Sequence, residues 1–397
     1  MPRFEPFRAA RYALDSPEEI APLVSPPYDV FGEREREVLA ASHPANIVHA
    51  DYPVERDGPG RYDACAAVLA AWVADGTVSV EQSPSYTLYR MRFVDDAGRS
   101  RETVGVIGAL EVVDEGAGGV LPHERTTPKA KTDRLDLTRA TRANLSPVWG
   151  LSLTAGLSAL LTEPGETVAS TTDAAGVVHS AERITDPARV AAISAAVSSN
   201  PVLIADGHHR YAISRAYRDE QRAVRGPLAA DLTMTYVAEL VADQLSIAAI
   251  HRLVTGHTAG QVLERITPFY GAEPAGPVDS TTLAKMDSAG RLCLVGPDGT
   301  GTFLVPREDA FRGIRDMDSA RLEHALGDMI GAVSYQHGVN DVLARLAAGE
   351  ADCAVLIRPV SLQEIRRTAD TGELMPPKST FFTPKLLTGM VWRPLVP

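Results

Sequence analysis

The sequence predicts a mixed α+β (α/β) protein with more than one compact unit. Three observations carry this. Apolar or alternating runs of strand length recur along the chain, amphipathic stretches of helix length are interleaved with them, and 397 residues exceed one typical domain. An apolar fraction of 45% with 23% charged residues is ordinary for a globular chain able to bury a core. Three regions are expected: an N-terminal α/β region over 1–115, a core over 116–258 and a C-terminal α/β region over 259–397.

The elements follow in order. Phe4 to Val30 reads as irregular and ends in Val24-Ser25-Pro26-Pro27-Tyr28-Asp29-Val30. The paired prolines hold the backbone extended and present Tyr28 and Asp29, either as the rigid lip of a substrate pocket or as part of a docked arm. Gly32–Ser42 and Tyr62–Asp75 carry helical periodicity, whereas Tyr86–Val94 and Thr103–Val113 alternate as strands around an Asp95-Asp96-Ala97-Gly98 turn. After the Gly116–Gly119 loop comes a polar cluster, His123-Glu124-Arg125, in which a carboxylate between basic groups suits a positioned base and His123 a substrate contact. A helix over Lys131–Ala143 places Arg134, Thr138 and Arg142 at four-residue spacing on one face, suited to phosphates or carboxylates.

Strands are expected over Pro147–Leu153 and Gly176–Ile184, then a helix over Asp186–Ser198 opened by an Asp-Pro cap. Val202–Ala205 is a short apolar strand, and Asp206-Gly207-His208-His209-Arg210 turns it into a helix. Asp206 suits an N-cap, Gly207 lets the backbone approach a ligand, and the first helical N–H groups with Arg210 form an anion site. Strands follow over Tyr236–Val241 and Leu245–Ile250. Gly296 to Gly301 joins two strands as a hairpin turn; it opens no helix and is therefore no dinucleotide fingerprint. Helices are expected over Gln261–Ile266, Asp318–Met329, Val339–Ala347 and Leu362–Thr371, with Tyr335-Gln336-His337 linking two of them and a strand over Ala354–Pro359. The tail from Met375 to Lys385 offers Lys378 and Ser379 to an anionic substrate, and Phe381, Phe382 and Trp392 should pack it back onto the body.

Composition excludes several classes. A formal charge of −12 argues against a general nucleic-acid or anionic-membrane binder. No run approaches a membrane span, and Met1 to Asp15 lacks the apolar segment of a secretory signal. The three dispersed cysteines form neither a disulfide framework nor a zinc spacing, so a cytoplasmic protein is expected. Phosphate-loop, nucleophile-elbow and zinc-helix motifs are missing, which leaves the turn at Asp206 as the best anion site.

The segment Asp186 to Tyr217 resembles the core of the ParB/sulfiredoxin-like superfamily, which implies such a core with N- and C-terminal elaborations. The chain as a whole resembles a prokaryotic family of unknown function, number ten-fifteen among such domains. Its marks are Ser25–Val30, His123–Thr126, Arg139–Pro147, Ala205–Tyr211 and Met375–Lys385. Where the sulfiredoxin branch carries its attacking cysteine this chain has His208, and His208 and His209 replace the Glu-Arg of the ParB branch. The Asp-Gly-His-His-Arg turn is similar to that of the free serine kinases. That resemblance implies nucleotide-dependent phosphoryl transfer to a small hydroxylated metabolite such as serine, with ATP or ADP and Mg²⁺. It makes Glu124, Asp206 and His208 the catalytic set and gives Asp206 the metal. Gly207, His209, Arg210 and Arg142 then take the nucleotide, and Tyr28, Asp29, His123, Lys378 and Ser379 the substrate. The alternatives are a nucleotide-binding regulatory or scaffold protein without turnover and, disfavoured by charge, a ParB-like nuclease or DNA-binding protein.

Overall fold

The computed structural model describes residues 1–54, 58, 60–95, 99–114, 116–122, 131–225, 229–279, 281–376 and 378–395. The described residues form two compact units, one of 1–122, 131–246 and 384–395, the other of 247–383. The expected boundaries at 115 and 258 fall elsewhere for a simple reason: hydrogen-bonded sheets run across both positions.

In the first unit the strands before residue 247 are β1 (Phe4–Glu5), β2 (Ala10–Tyr12), β3 (Val78–Val80), β4 (Tyr86–Val94), β5 (Ser100–Glu111), β6 (Val120–Pro122), β7 (Ala143–Asn144), β8 (Val148–Ser152), β9 (Glu166–Thr172), β10 (Val178–Ile184), β11 (Val202–Asp206) and β12 (Leu232–Glu239). Its helices are α1 (Glu33–Ser42), α2 (Val48–Asp51), α3 (Arg61–Ala74), α4 (Lys131–Thr141), α5 (Leu157–Leu160), α6 (Pro187–Ser198) and α7 (His208–Arg225). A mixed sheet runs in the order β6-β11-β8-β12-β5-β4-β10-β9, with β1 added on β5. Strands drawn from residue 4 to residue 239 share it, so this unit has no boundary near 115. The opening segment, expected to be irregular, contributes β1 through Phe4 opposite Leu110 and β2 through Ala10 opposite Val80. Runs of two or three residues show no periodicity, which hides them in the sequence.

The sheet is covered on both faces, because consecutive residues such as Tyr236 and Val237 on β12 are both fully buried. On one face Val148, Val202, Ile204 and Val237 pack with Ile193 and Val197 of α6. The other face is aromatic: Tyr236 meets Trp149 edge-on at 5.1 Å and Tyr89 at 6.2 Å. Gly105 makes room for this layer, since a Cβ there would lie 2.4 Å from the Tyr236 ring. Helix α6 begins as expected, with the Asp186 carboxylate accepting the Arg189 N–H at 2.8 Å and Pro187 in the first turn.

The second unit contains β13 (Ile247–Ala248), β14 (Ile250–Val254), α8 (Ala259–Ile266), β15 (Tyr270–Pro277), α9 (Thr282–Ala289), β16 (Leu292–Val295), β17 (Thr300–Pro306), α10 (Asp318–Leu326), β18 (Val333–His337), α11 (Val339–Ala347), β19 (Cys353–Leu356), α12 (Leu362–Thr371) and β20 (Phe381–Phe382). An antiparallel sheet runs β15-β17-β16-β19-β14-β18. Leu292, Leu294 and Val355 face one apolar cluster, and Cys293, Val295 and Leu356 the other. Residues two apart thus share a face, as the strand period demands. The turn from Gly296 joins β16 to β17 as expected. The 335–337 link is instead part of β18, paired with β14. Strand β15 escaped the sequence reading because Pro274 and Gly276 interrupt it; it survives as an edge strand, where proline is tolerated. The expected Leu245–Ile250 strand divides into β13 and the start of β14, which pair with different partners.

His251 on β14 gives this unit a pH response. It is 1% exposed and its Nδ1 accepts the Ile357 N–H at 3.3 Å. Burial, aided by Arg252 and His337, brings it down to about 4. An unfolded histidine titrates near ~6.5, so between these values the unfolded chain binds a proton that the folded one refuses. Stability should therefore fall as pH drops from about 6.5 towards 4, by about 3 kcal/mol in total. Urea unfolding at pH 7 and 4.5 should show this loss in the parent and not in His251→Gln; equal losses in both would assign it to other groups. Among the described residues no helix is long and apolar enough to cross a membrane.

Candidate functional site

The site is built at the end of β11. The strand delivers Asp206 at its last position, opposite Trp149 of β8. Gly207 then takes a left-handed conformation, φ 79°, which starts α7 at His208. The N-cap position is held by Gly207, whose carbonyl accepts the Tyr211 N–H at 2.9 Å. Asp206, expected to be the cap, precedes that position, and its carboxylate is committed to two cations. Lys385 Nζ donates to Oδ1 at 3.0 Å, and Arg210 Nη2 donates to Oδ2 at 2.8 Å. Arg210 Nη1 donates to the Pro147 carbonyl just before β8. Its Nε is buried without a hydrogen-bond partner among the described residues, and the guanidinium lies over Gly207, where a Cβ would be 3.0 Å from Nε.

Burial alone would raise the Asp206 carboxyl, but Lys385 and Arg210 outweigh it and hold the group well below the usual carboxylate range. Asp206 is therefore an anion at neutral pH and a poor proton acceptor. The same exchange favours charge on Arg210: burial disfavours it, and Asp206, Asp29 and Tyr28 more than compensate.

A second ion pair stands beside the first. Arg134 of α4 donates through both terminal nitrogens to Asp51 at the end of α2, one to the carbonyl and one to Oδ1. The Arg134 guanidinium also sits 3.8 Å above the Tyr28 ring. Burial opposes its charge, yet Asp51 and Tyr28 raise it above the ordinary arginine value. Burial likewise pushes the Asp51 carboxyl up against the pull of Arg134, and the two-pronged contact is that of an ion pair. Ser146 extends this second cluster: its hydroxyl donates to Asp51 Oδ2 at 3.4 Å and meets Thr388 Oγ1 at 3.0 Å. Arg210 and Ser146 each line two small cavities, of about 40 and about 10 Å³. Such spaces hold one or a few waters, so a phosphate reaches these cations only if an ion pair opens.

The structure thus brings together Tyr28, Asp206, Gly207, His208, His209 and Arg210, with Asp29 exposed beside them and His208 acting electrostatically on Asp206. Arg142 follows the last residue of α4 in a left-handed conformation, φ 48°, and is exposed; the helix has ended, so it leaves the Arg134–Thr138 face. Lys378 and Ser379 belong to the second unit, where the Ser379 hydroxyl is buried, donates to the Pro376 carbonyl at 2.7 Å and meets Ser319 at 3.1 Å. His123 and Glu124 lie outside the described residues. Asp51, Ser146 and Lys385 were missed as site residues. For Lys385 and Ser146 a signal existed, since both lie within stretches that carry the family resemblance, Met375–Lys385 and Arg139–Pro147; Asp51 sits in Val48-His49-Ala50-Asp51, which carries none.

Magnesium does not fit this turn as a resident ion. Both Asp206 oxygens already face cations, and no group of three or more candidate metal ligands occurs among the described residues. Mg²⁺ could still arrive with a nucleotide, held mainly by phosphates and water.

The profile of a protein family of unknown function, DUF1015, matches residues 4–324. The chain belongs to the DUF1015 family. No curated protein matches it. Among solved structures, this DUF1015 chain is similar to C-terminally truncated SbnI from Staphylococcus aureus at 14% identity, covering 73% of this chain and 87% of that one with a TM-score of 0.42. It is similar to a free serine kinase variant in complex with AMP at 14% identity, covering 70% and 87%, TM-score 0.40. A conserved hypothetical protein from Pyrococcus furiosus follows at 12% identity, 67% and 87%, TM-score 0.37.

Proposed function

We propose that this DUF1015 protein binds the phosphates of a nucleotide at the Asp206–Arg210 turn and transfers a phosphoryl group to a small hydroxylated metabolite. The observation that carries the reading is the pairing of two cations, Arg210 and Lys385, with Asp206 at the start of an 18-residue helix opened by a left-handed glycine, with Arg134 lining the same small cavity as Arg210. Phosphoryl transfer asks for positioning and charge neutralisation more than for covalent chemistry, and this set supplies both. Incoming phosphates would take Lys385 from Asp206, exchanging one anion for another.

Asp206, held ionised, orders Lys385 and Arg210. Glu124 is the base in this proposal, His208 and His209 contact phosphate oxygens, and Tyr28 and Asp29 border the acceptor. Cytoplasmic residence belongs to the same proposal. The test is ³¹P NMR of Mg·ATP or Mg·ADP with serine and other hydroxylated acceptors. A phosphomonoester signal should form with the parent and fall at least ~100-fold in Glu124→Ala, the scale of general-base catalysis. No product with any acceptor would contradict turnover.

One observation favours the second reading, nucleotide binding without turnover. Both Asp206 oxygens are occupied by cations, so the turn offers a phosphate cradle whose carboxylate is not free to accept a proton. Binding without product would select that reading.

A further inference from the structure

A hydrogen-bonded chain crosses the aromatic face of the first unit and ends next to Lys385. It starts at Asp173 in the β9–β10 hairpin. The Asp173 Oδ1 accepts the N–H groups of Ala175 and Val177, each at 2.9 Å, which fixes the carboxylate. Its Oδ2 lies 3.2 Å from Nε2 of His179, a fully buried residue on β10. His179 Nδ1 is 3.0 Å from the Tyr89 hydroxyl, and that hydroxyl accepts the Leu387 N–H at 3.0 Å. Leu387 is two residues beyond Lys385.

The proton count permits one neutral arrangement. Asp173 only accepts, so His179 carries its proton on Nε2. Nδ1 is then an acceptor, and the Tyr89 O–H donates to it. This leaves a lone pair of the Tyr89 oxygen for the Leu387 amide. Around the imidazole, β4 contributes Tyr89 and Met91, β9 contributes Thr171 opposite it, the hairpin contributes Asp173, and the tail follows beyond Tyr89. Asp173 is the one charged group that acts on His179 among those described, and burial lowers the imidazole below its ordinary value.

We propose that Tyr89 and His179 are positioning residues that hold Lys385 against Asp206 through the Leu387 amide. Protonation of His179 places a hydrogen on Nδ1, so the Tyr89 hydroxyl loses its acceptor and its proton competes with the Leu387 N–H for the space in front of the oxygen. The tail is then released at 387, although Thr388 still pairs with Ser25. The link to phosphate binding rests on the function proposed above, whereas the placement of Lys385 does not.

The test is therefore read without nucleotide. The chain has five lysines, and Lys285 is exposed in the second unit. The rate of acetylation of Lys385 relative to Lys285, followed by mass spectrometry, reports how firmly Lys385 is held. Tyr89→Phe keeps the ring and should raise the ratio about two- to tenfold at pH 7.5, what one hydrogen bond is worth. In the parent the ratio should stay flat through the ordinary histidine range and rise only on further acidification, because burial holds His179 below that range. His179→Gln, the second variant, should lose that rise. A residue that merely filled the core would leave the pH profile unchanged. Parent-like ratios at every pH in both variants would overturn the proposal, and would do so whether or not a nucleotide binds.

Discussion

Replacing Arg134 by methionine should destabilise the first unit by about 3–5 kcal/mol, because Asp51 would remain buried without its partner. Asp51 is 2% exposed, and Arg134 supplies both its ion pair and the cap on its carbonyl. The Tyr28 ring would lose its cation as well. The double variant Arg134→Met/Asp51→Leu should recover most of the loss, since an apolar pair of similar volume often matches a buried ion pair in stability. Urea unfolding of the two variants separates the terms. A single variant as stable as the parent would mean that Asp51 is neutral or reached by water, and the ion-pair account of this half of the site would fall.

Arg210→Met should leave the fold in place and weaken ligand binding. Asp206 keeps Lys385 in this variant, so its carboxylate is not stranded. What disappears is the guanidinium that faces Asp206 and the Pro147 carbonyl. Charge-assisted hydrogen bonds contribute about 1.5–3 kcal/mol, so the affinity for a nucleotide phosphate should fall about 10- to 100-fold. The binding-without-turnover reading predicts the same loss, whereas Glu124→Ala lowers turnover alone. The pair of variants thus separates cradle from base.

The turn itself was legible in the sequence for local reasons. A strand of Val202 to Ala205, a glycine that tolerates positive φ and a helix of periodic apolar residues all lie within one stretch. The N-cap was misplaced by one residue because Asp is a good cap by propensity, while the tertiary partners Lys385 and Arg210 claim its carboxylate. Arg142 was read onto the α4 face because four-residue spacing assumes the helix continues; it ends at Thr141. Asp51 and Lys385 stand 155 residues before and 179 residues after Asp206, so even where a stretch is marked, as at Lys385, no local pattern says which residue it meets. The two-unit organisation was hidden for the same reason: the last residues return to pair with Ala10, Ser25 and Asn144. Short strands that exist only through distant pairing, such as β1 and β2, leave no periodicity to read.

Whether the Asp206–Arg210 turn holds phosphate is read from calorimetric titration of Mg·ATP, Mg·ADP and pyrophosphate into the parent and into Arg210→Met. At least one of them should bind the parent saturably, about 10- to 100-fold more tightly than the variant. A ligand at a hundred times its Kd should also add about 2.7 kcal/mol of stability, visible as a raised Tm. Heat and Tm unchanged by all three ligands, or binding that Arg210→Met leaves intact, would contradict the assignment of the Asp206–Arg210 turn as a phosphate site.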